Sequence, residues 1–194
     1  MKGIFARFFW GAGTGREVFA FQRLGFEAVG VEQVDQFVEC AVSHAKKNNI
    51  PVVFIKADLA KFDYVSHFQE KSFDCVTIFN IVYSYIPSRE WRINLLRQMR
   101  QILKPGGHCL VNFVMAKPSL REQRWSPFIR IFGKMLNWHS EFEIGDRLHE
   151  GVPIYQHNFP SYEAVESEAL EAGFQQIEFF NFLGNAPHAV LSTI

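Results

Sequence analysis

FWGAGTGREVFAFQRLGFEAVGVEQ, from Phe9 to Gln33, runs from a glycine-rich turn through an amphipathic segment to a short apolar run. The apolar stretch Ile4–Trp10 leads into Gly11-Ala-Gly-Thr-Gly15. Arg16–Leu24 then places Val18, Phe19 and Leu24 near helical spacing, and Gly25 stops it. Phe26–Glu32 is a second short strand that ends on a carboxylate. Glycines between a strand and a helix let backbone N–H groups approach a ligand closely. Alone, such a loop also suits a plain strand–helix turn. Glu32, however, stands about 20 residues beyond the first glycine, where a carboxylate accepts hydrogen bonds from a ribose diol. The two features together predict an adenosine-containing ligand. Arg16 occupies the place of the third glycine in a dinucleotide fingerprint, where the helix must admit a pyrophosphate, and so disfavours NAD. A GxGxG loop facing no phosphate suits S-adenosylmethionine.

Outward from this stretch, short apolar runs alternate with amphipathic ones. Asp35–Asn48 reads as a helix with Val38, Ala41, Val42 and Ala45 on one face. Pro51–Ala57 and Phe73–Asn80 read as strands. Ser88–Leu103 reads as a helix capped by Ser88, with Trp91, Leu95, Met99 and Ile102 as its apolar stripe and Lys104-Pro-Gly-Gly107 as its stop. His108–Met115 is a strand, Ser161–Ala172 a helix capped by Ser161, and Phe174–Phe182 and His188–Ile194 the last two strands. This alternation predicts right-handed βαβ units and a sheet covered on both faces. Continuous rather than alternating apolar runs fit buried parallel strands. The link Leu183–Pro187 is too short for a helical crossover, so the last strand should run antiparallel. The expected fold is a Rossmann-like, doubly wound α/β domain. It has three α/β/α layers and a seven-stranded, mainly parallel sheet with an antiparallel last strand.

Composition bounds the function. The chain has 194 residues, 20 Lys+Arg against 20 Asp+Glu, and 48% hydrophobic residues. That length suits one domain spanning 1–194. The hydrophobic content excludes disorder, and the zero net charge argues against a general nucleic-acid binder. No apolar run is long enough to span a membrane, and the N-terminal apolar stretch reads as a strand rather than a signal peptide. Cys40, Cys75 and Cys109 fit no metal pattern; three reduced, buried thiols predict a cytoplasmic protein. Residues Ala116–Pro160 break the alternation after a strand's C-terminal end, where α/β ligands bind. The segment carries Lys117, Arg121, Arg124, Arg130 and Lys134, then an apolar stripe of Phe128, Ile131, Phe132, Met135 and Leu136. It is expected to lid an acceptor pocket; a homodimer contact and a membrane-surface helix are the alternatives.

The stretch from Phe9 to Gln33 resembles the opening of class I S-adenosylmethionine-dependent methyltransferases. Ala57-Asp58-Leu59 resembles the family's adenine-contacting acidic position, FDCVTIFNIVYSYIP its fourth-strand motif, and LLRQMRQILKPGGHCLVNF its helix, turn and fifth strand. YQHNFPSYEAVESEALEAGFQQIEF resembles the ending common in bacterial small-molecule members. The resemblance implies S-adenosyl-L-methionine as cofactor and S-adenosyl-L-homocysteine as product. It implies cofactor contacts from Gly11, Ala12, Gly13, Thr14, Gly15, Glu32, Gln33, Asp58, Leu59 and Asn80. Two features depart from the family pattern. Phe9 stands where an acidic residue supports the methionine end, and the first strand begins almost at Met1 without the usual preceding helices. They predict a more open site, a lid supplied by a partner, or a shortened chain.

Methyl transfer from a sulfonium is an in-line displacement whose leaving group is already activated. Holding the nucleophile in line supplies roughly 7–11 kcal/mol, and a general base adds about 10²–10⁴-fold where the acceptor must lose a proton. No triad is needed and none is present. His157, at the family's His-x-Phe position, and Tyr83, beyond the fourth strand, are the candidate catalytic residues, each with a structural alternative. Asn80-Ile-Val-Tyr83 faintly echoes the Asn-Pro-Pro-Tyr motif of amino-group methyltransferases, but lacks both prolines. No histidines pair at metal-ligand spacing, so no metal is expected. The leading expectation is methyl transfer to an oxygen or nitrogen of a small molecule. A catalytically silent cofactor-binding or interaction domain and an NAD(P)-linked oxidoreductase are the alternatives.

Overall fold

Phe8 and Trp10 point to one face of their strand and Phe9 to the other, as the two-residue period of a strand requires, and all three are buried. A strand apolar on both sides must be covered on both sides. The computed structural model shows how; it describes residues 6–59, 61–116, 143, 145–148, 155–181 and 186–193.

Strands β1 (Ala6–Trp10), β2 (Glu27–Glu32), β3 (Val53–Lys56), β4 (Phe73–Ile78), β5 (Leu103–Asn112), β8 (Gln176–Phe180) and β9 (His188–Ser192) form one seven-stranded sheet in the order β3-β2-β1-β4-β5-β9-β8. β3, β2, β1, β4 and β5 pair in parallel. β9 pairs antiparallel with β5 and with β8, so it lies inside the sheet with β8 at the edge. Helices α1 (Arg16–Arg23) and α2 (Asp35–Lys47) cover one face through Phe9, Ala12, Val18, Phe19, Ala28 and Ala41. Helices α3 (Tyr64–Phe68), α4 (Arg89–Ile102) and α5 (Tyr162–Glu171) cover the other over Phe8, Trp10, Val31, Val76, Ile78 and Val111. A 3-10 turn, Val82–Tyr85, follows β4. A two-stranded antiparallel ribbon of β6 (Asp146–Leu148) and β7 (Tyr155–His157) lies within the 116–160 segment. The stripe at Phe128–Leu136 and most of that segment's charges fall outside the described residues.

The expected fold holds, with four corrections. Trp91 is exposed at 44%, and Arg92 takes the core-facing place beside it on α4. Its partner, Glu168, lies far off in sequence, and a buried charge needs such a partner. Lys104-Pro-Gly-Gly107 does not separate helix from strand: β5 begins at Leu103, and a register shift against β4 absorbs the turn. Ser88 caps α4 through Trp91 N–H as expected, whereas Ser161 makes no side-chain capping bond. Cys40 is exposed on the outer side of α2, so only Cys75 and Cys109 are buried. No described helix is long and apolar enough to cross a membrane.

Candidate cofactor site

The Gly11–Gly15 loop sits at the C-terminal end of β1, where backbone bonds fix its path. Ala12 N–H donates to Val31 O at 3.0 Å, and Gly15 N–H to Ala12 O at 3.0 Å. Gly13 and Gly15 show the two uses of glycine here. At Gly15 (φ 90°) a Cβ would lie 2.5 Å from Phe54 Cζ and 2.8 Å from Phe19 Cε2, so packing alone forbids a side chain. At Gly13 (φ 54°) a Cβ would meet nothing within 4 Å. The loop therefore presents open space at Gly13, as a ligand cradle must.

Glu32, at the end of β2, is only 6% exposed. Its Oε2 accepts from Gly13 N–H at 2.9 Å. Its Oε1 accepts from Gln33 N–H at 2.8 Å and Val34 N–H at 3.0 Å. A carboxylate has about four acceptor positions, so the buried anion keeps capacity for a ligand hydroxyl while it fixes the loop. Thr14 and Gln33 are exposed on either side.

The loop after β3 is tied to the same edge. Asp58 is exposed and pairs with Lys61 at 3.3 Å. Leu59 is buried, and its carbonyl accepts from Tyr64 Oη at 2.8 Å. Tyr64 Oη in turn accepts from Trp10 Nε1 at 2.5 Å. Trp10 immediately precedes Gly11, so this relay links the glycine loop to the Asp58–Leu59 turn. Sequence reading missed it because α3 is too short to show a helical period. Burial pushes the Tyr64 hydroxyl well above its ordinary pKa, so it stays a donor. A cavity of about 90 Å³ adjoins the relay, lined by Trp10, Leu59, Ile86, Trp91, Asn94, Leu95 and Gln98.

Beyond β4, Asn80 is exposed and its Oδ1 accepts from Arg16 Nη2 at 3.2 Å, joining the two loops. Phe9 packs into the α1/α2 layer, its ring 5.3 Å from that of Phe21.

Tyr83 and His157 are brought together, but inside the protein. Tyr83 is 0% exposed, donates to Glu168 Oε2 at 2.5 Å and stacks on Phe159 at 5.6 Å. His157 is 4% exposed, with Nδ1 2.7 Å from Asp146 Oδ1 and Nε2 3.9 Å from Glu143 Oε2. Arg92, 0% exposed, joins the two sides by binding Glu168 at 2.7 Å and Glu143 at 2.6 Å. Tyr155 also donates to Asp146 Oδ1, at 2.6 Å. Burial, and then the Glu168 charge, raise the Tyr83 pKa well above its ordinary value. Its phenol stays protonated. The network binds the 3-10 turn, α4, α5 and the β6–β7 ribbon into one wall.

A family model described as a methyltransferase domain matches residues 10–107, just over half the chain. The match covers the glycine loop, Glu32, Asp58–Leu59 and Asn80. The chain belongs to this family, within the class I S-adenosylmethionine-dependent methyltransferases, whose cofactor is S-adenosylmethionine and whose product is S-adenosylhomocysteine. Among its relatives are ubiquinone/menaquinone biosynthesis C-methyltransferases. That of Pseudomonas paraeruginosa is 28% identical over 138 residues, covering 69% of this chain and 48% of the relative. That of Pseudomonas savastanoi pv. phaseolicola is 30% identical over 137 residues, covering 67% and 47%. The chain thus spans about half the length of the curated relatives it matches. Similar folds include the CcbJ methyltransferase of Streptomyces caelestis, with a TM-score of 0.70 at 18% identity over 99% of this chain and 90% of that one. The PH0226 protein of Pyrococcus horikoshii OT3 gives 0.69 at 20% identity, over 100% and 84%.

Proposed function

We propose that this chain binds S-adenosylmethionine on the Gly11–Gly15 loop and catalyses methyl transfer to a small-molecule acceptor. The observation that carries the reading is the Glu32–Gly13 bond: a buried carboxylate pins the one loop glycine that faces open space. Bound there, S-adenosylmethionine supplies a methyl group activated by its sulfonium charge. Glu32 receives a ribose hydroxyl on its remaining acceptor position, the exposed Asp58 reaches the adenine amine, and the glycine loop leaves room for the methionine end. Thr14, Gln33, Leu59 and Asn80 line the same edge. The protein's contribution is chiefly orientation. Tyr83 and His157 are assigned to holding the acceptor-side wall rather than to moving a proton, because both are buried, the Tyr83 hydroxyl is bound to Glu168 and His157 Nδ1 to Asp146.

The acceptor atom is oxygen or nitrogen on the sequence reading. The C-methyltransferase name of the Pseudomonas relatives supports carbon as a second reading. Phe9, in place of an acid, supports a third: a domain that binds cofactor without turnover. Incubation with S-adenosylmethionine and a panel of phenols, amines and carbon acids separates them by mass gain, with the methylated atom located by NMR of the product. A gain of one methyl on a phenol or amine supports the first reading, and a gain on carbon the second. Cofactor binding without turnover supports the third.

A further inference from the structure

Strand β4 ends at Ile78, and the chain then turns through Asn80 (φ 57°) and Ile81 (φ 55°). Left-handed backbone crowds Cβ against the following carbonyl, and a β-branched residue there is an outlier. Such a conformation persists only where its surroundings over-determine it. Ile81 N–H donates to Asn112 Oδ1 at 2.8 Å. Asn112 is the last residue of β5 and 6% exposed. Its Nδ2 donates to Ala186 O at 3.0 Å and Pro187 O at 3.1 Å. With an N–H on one side and two carbonyls on the other, only one amide orientation pairs donors with acceptors. The side chain is thereby fixed at both ends, between the turn after β4 and the start of β9.

The turn it holds borders the cofactor loop. A Cβ on Gly11 would come 3.1 Å from Val82 Cγ2, the residue after Ile81. Asn80 Oδ1 meets Arg16, just past Gly15. The Ile81 carbonyl accepts from Ser84 N–H at 2.9 Å, which starts the 3-10 turn.

We propose that Asn112 is a positioning residue for the cofactor site. It holds Asn80–Ile81 in the left-handed turn that forms the wall opposite the glycine loop. The inference rests on the cofactor reading above, since it assigns a wall of that same site. Without the Asn112 acceptor, the strained turn relaxes toward ordinary backbone, and only a fraction of molecules carry the binding geometry. Apparent affinity falls by that fraction.

The test is isothermal titration of S-adenosylhomocysteine into the wild type, Asn112→Ala, Ile81→Gly and the double variant, each checked for folding by circular dichroism. Glycine adopts positive φ freely, so it replaces the restraint that Asn112 supplies. Asn112→Ala is expected to weaken binding about tenfold. Ile81→Gly sets its own reference affinity, and against that reference the added Asn112→Ala should cost less than about threefold, so that glycine recovers most of the loss. A folded Asn112→Ala protein that binds as the wild type does overturns the proposal. So does a loss that Ile81→Gly fails to recover, which makes Asn112 a buried polar group with no bearing on the turn. If Asn112→Ala does not fold, Asn112→Ser, too short to reach Ile81 N–H, enters the same comparison. Failure of the wild type to bind would instead sink the cofactor reading, so the two failures are distinguishable.

Discussion

Glu32 Oε2 holds the Gly13 N–H at 2.9 Å across 19 residues of sequence. The acid that ends β2 therefore shapes the loop that ends β1. One side chain prepares the loop and, on the proposed reading, receives the ribose.

Glu32→Ala should weaken S-adenosylhomocysteine binding by roughly 10–150-fold, the worth of a charged hydrogen bond of about 1.5–3 kcal/mol. Isothermal titration reads it directly. Unchanged affinity would remove the ribose assignment. Asp58→Ala should cost less, because Asp58 is exposed and one neutral amine is at stake.

Gly13 and Gly15 should fail differently. Gly15→Ala drives a Cβ into Phe54 and Phe19 at positive φ, and should destabilise the fold by about 1–3 kcal/mol. Gly13→Val meets no protein atom at its Cβ, so the fold should survive while S-adenosylhomocysteine binding is lost. Thermal melts paired with titration separate the two. A folded Gly13→Val protein that still binds would show that the loop does not hold the ligand.

Arg92→Met leaves Glu168 as a buried charge without its cation, and should cost about 3–5 kcal/mol by urea unfolding. If the loss is under about 1 kcal/mol, the network is not what holds the β6–β7 ribbon to α4 and α5.

Cys40 should react with a thiol reagent at pH 8 in the native protein, while Cys75 and Cys109 wait for denaturant. Burial pushes the Cys75 thiol up to about 11 and the Cys109 thiol well above its ordinary value, and the thiolate is the reactive form. Rapid release of more than one equivalent would contradict the buried placements.

The sheet was legible because its central strands carry continuous apolar runs and every helix between strands except α3 is long enough to show its period. The antiparallel β9 followed from one short link. The glycine loop and Glu32 were legible because their spacing is set locally by one βαβ unit. The wall around Tyr83 was not. Arg92 looks like a surface residue beside Trp91 until Glu168, 76 positions away, is folded against it. His157 drew attention as a candidate base, yet its partner Asp146 lies across the β6–β7 ribbon, and nothing in the local pattern announces that ribbon. Asn112 passed unnoticed at the end of an apolar strand, because the strained turn it serves is a backbone feature.

The most direct measurement is parallel titration of S-adenosylhomocysteine and NAD into the same folded protein. The cofactor assignment predicts one S-adenosylhomocysteine bound per chain, no heat from NAD, and loss of the first signal in Glu32→Ala. A folded wild-type protein that takes up no S-adenosylhomocysteine, or binds NAD as well or better, would contradict it.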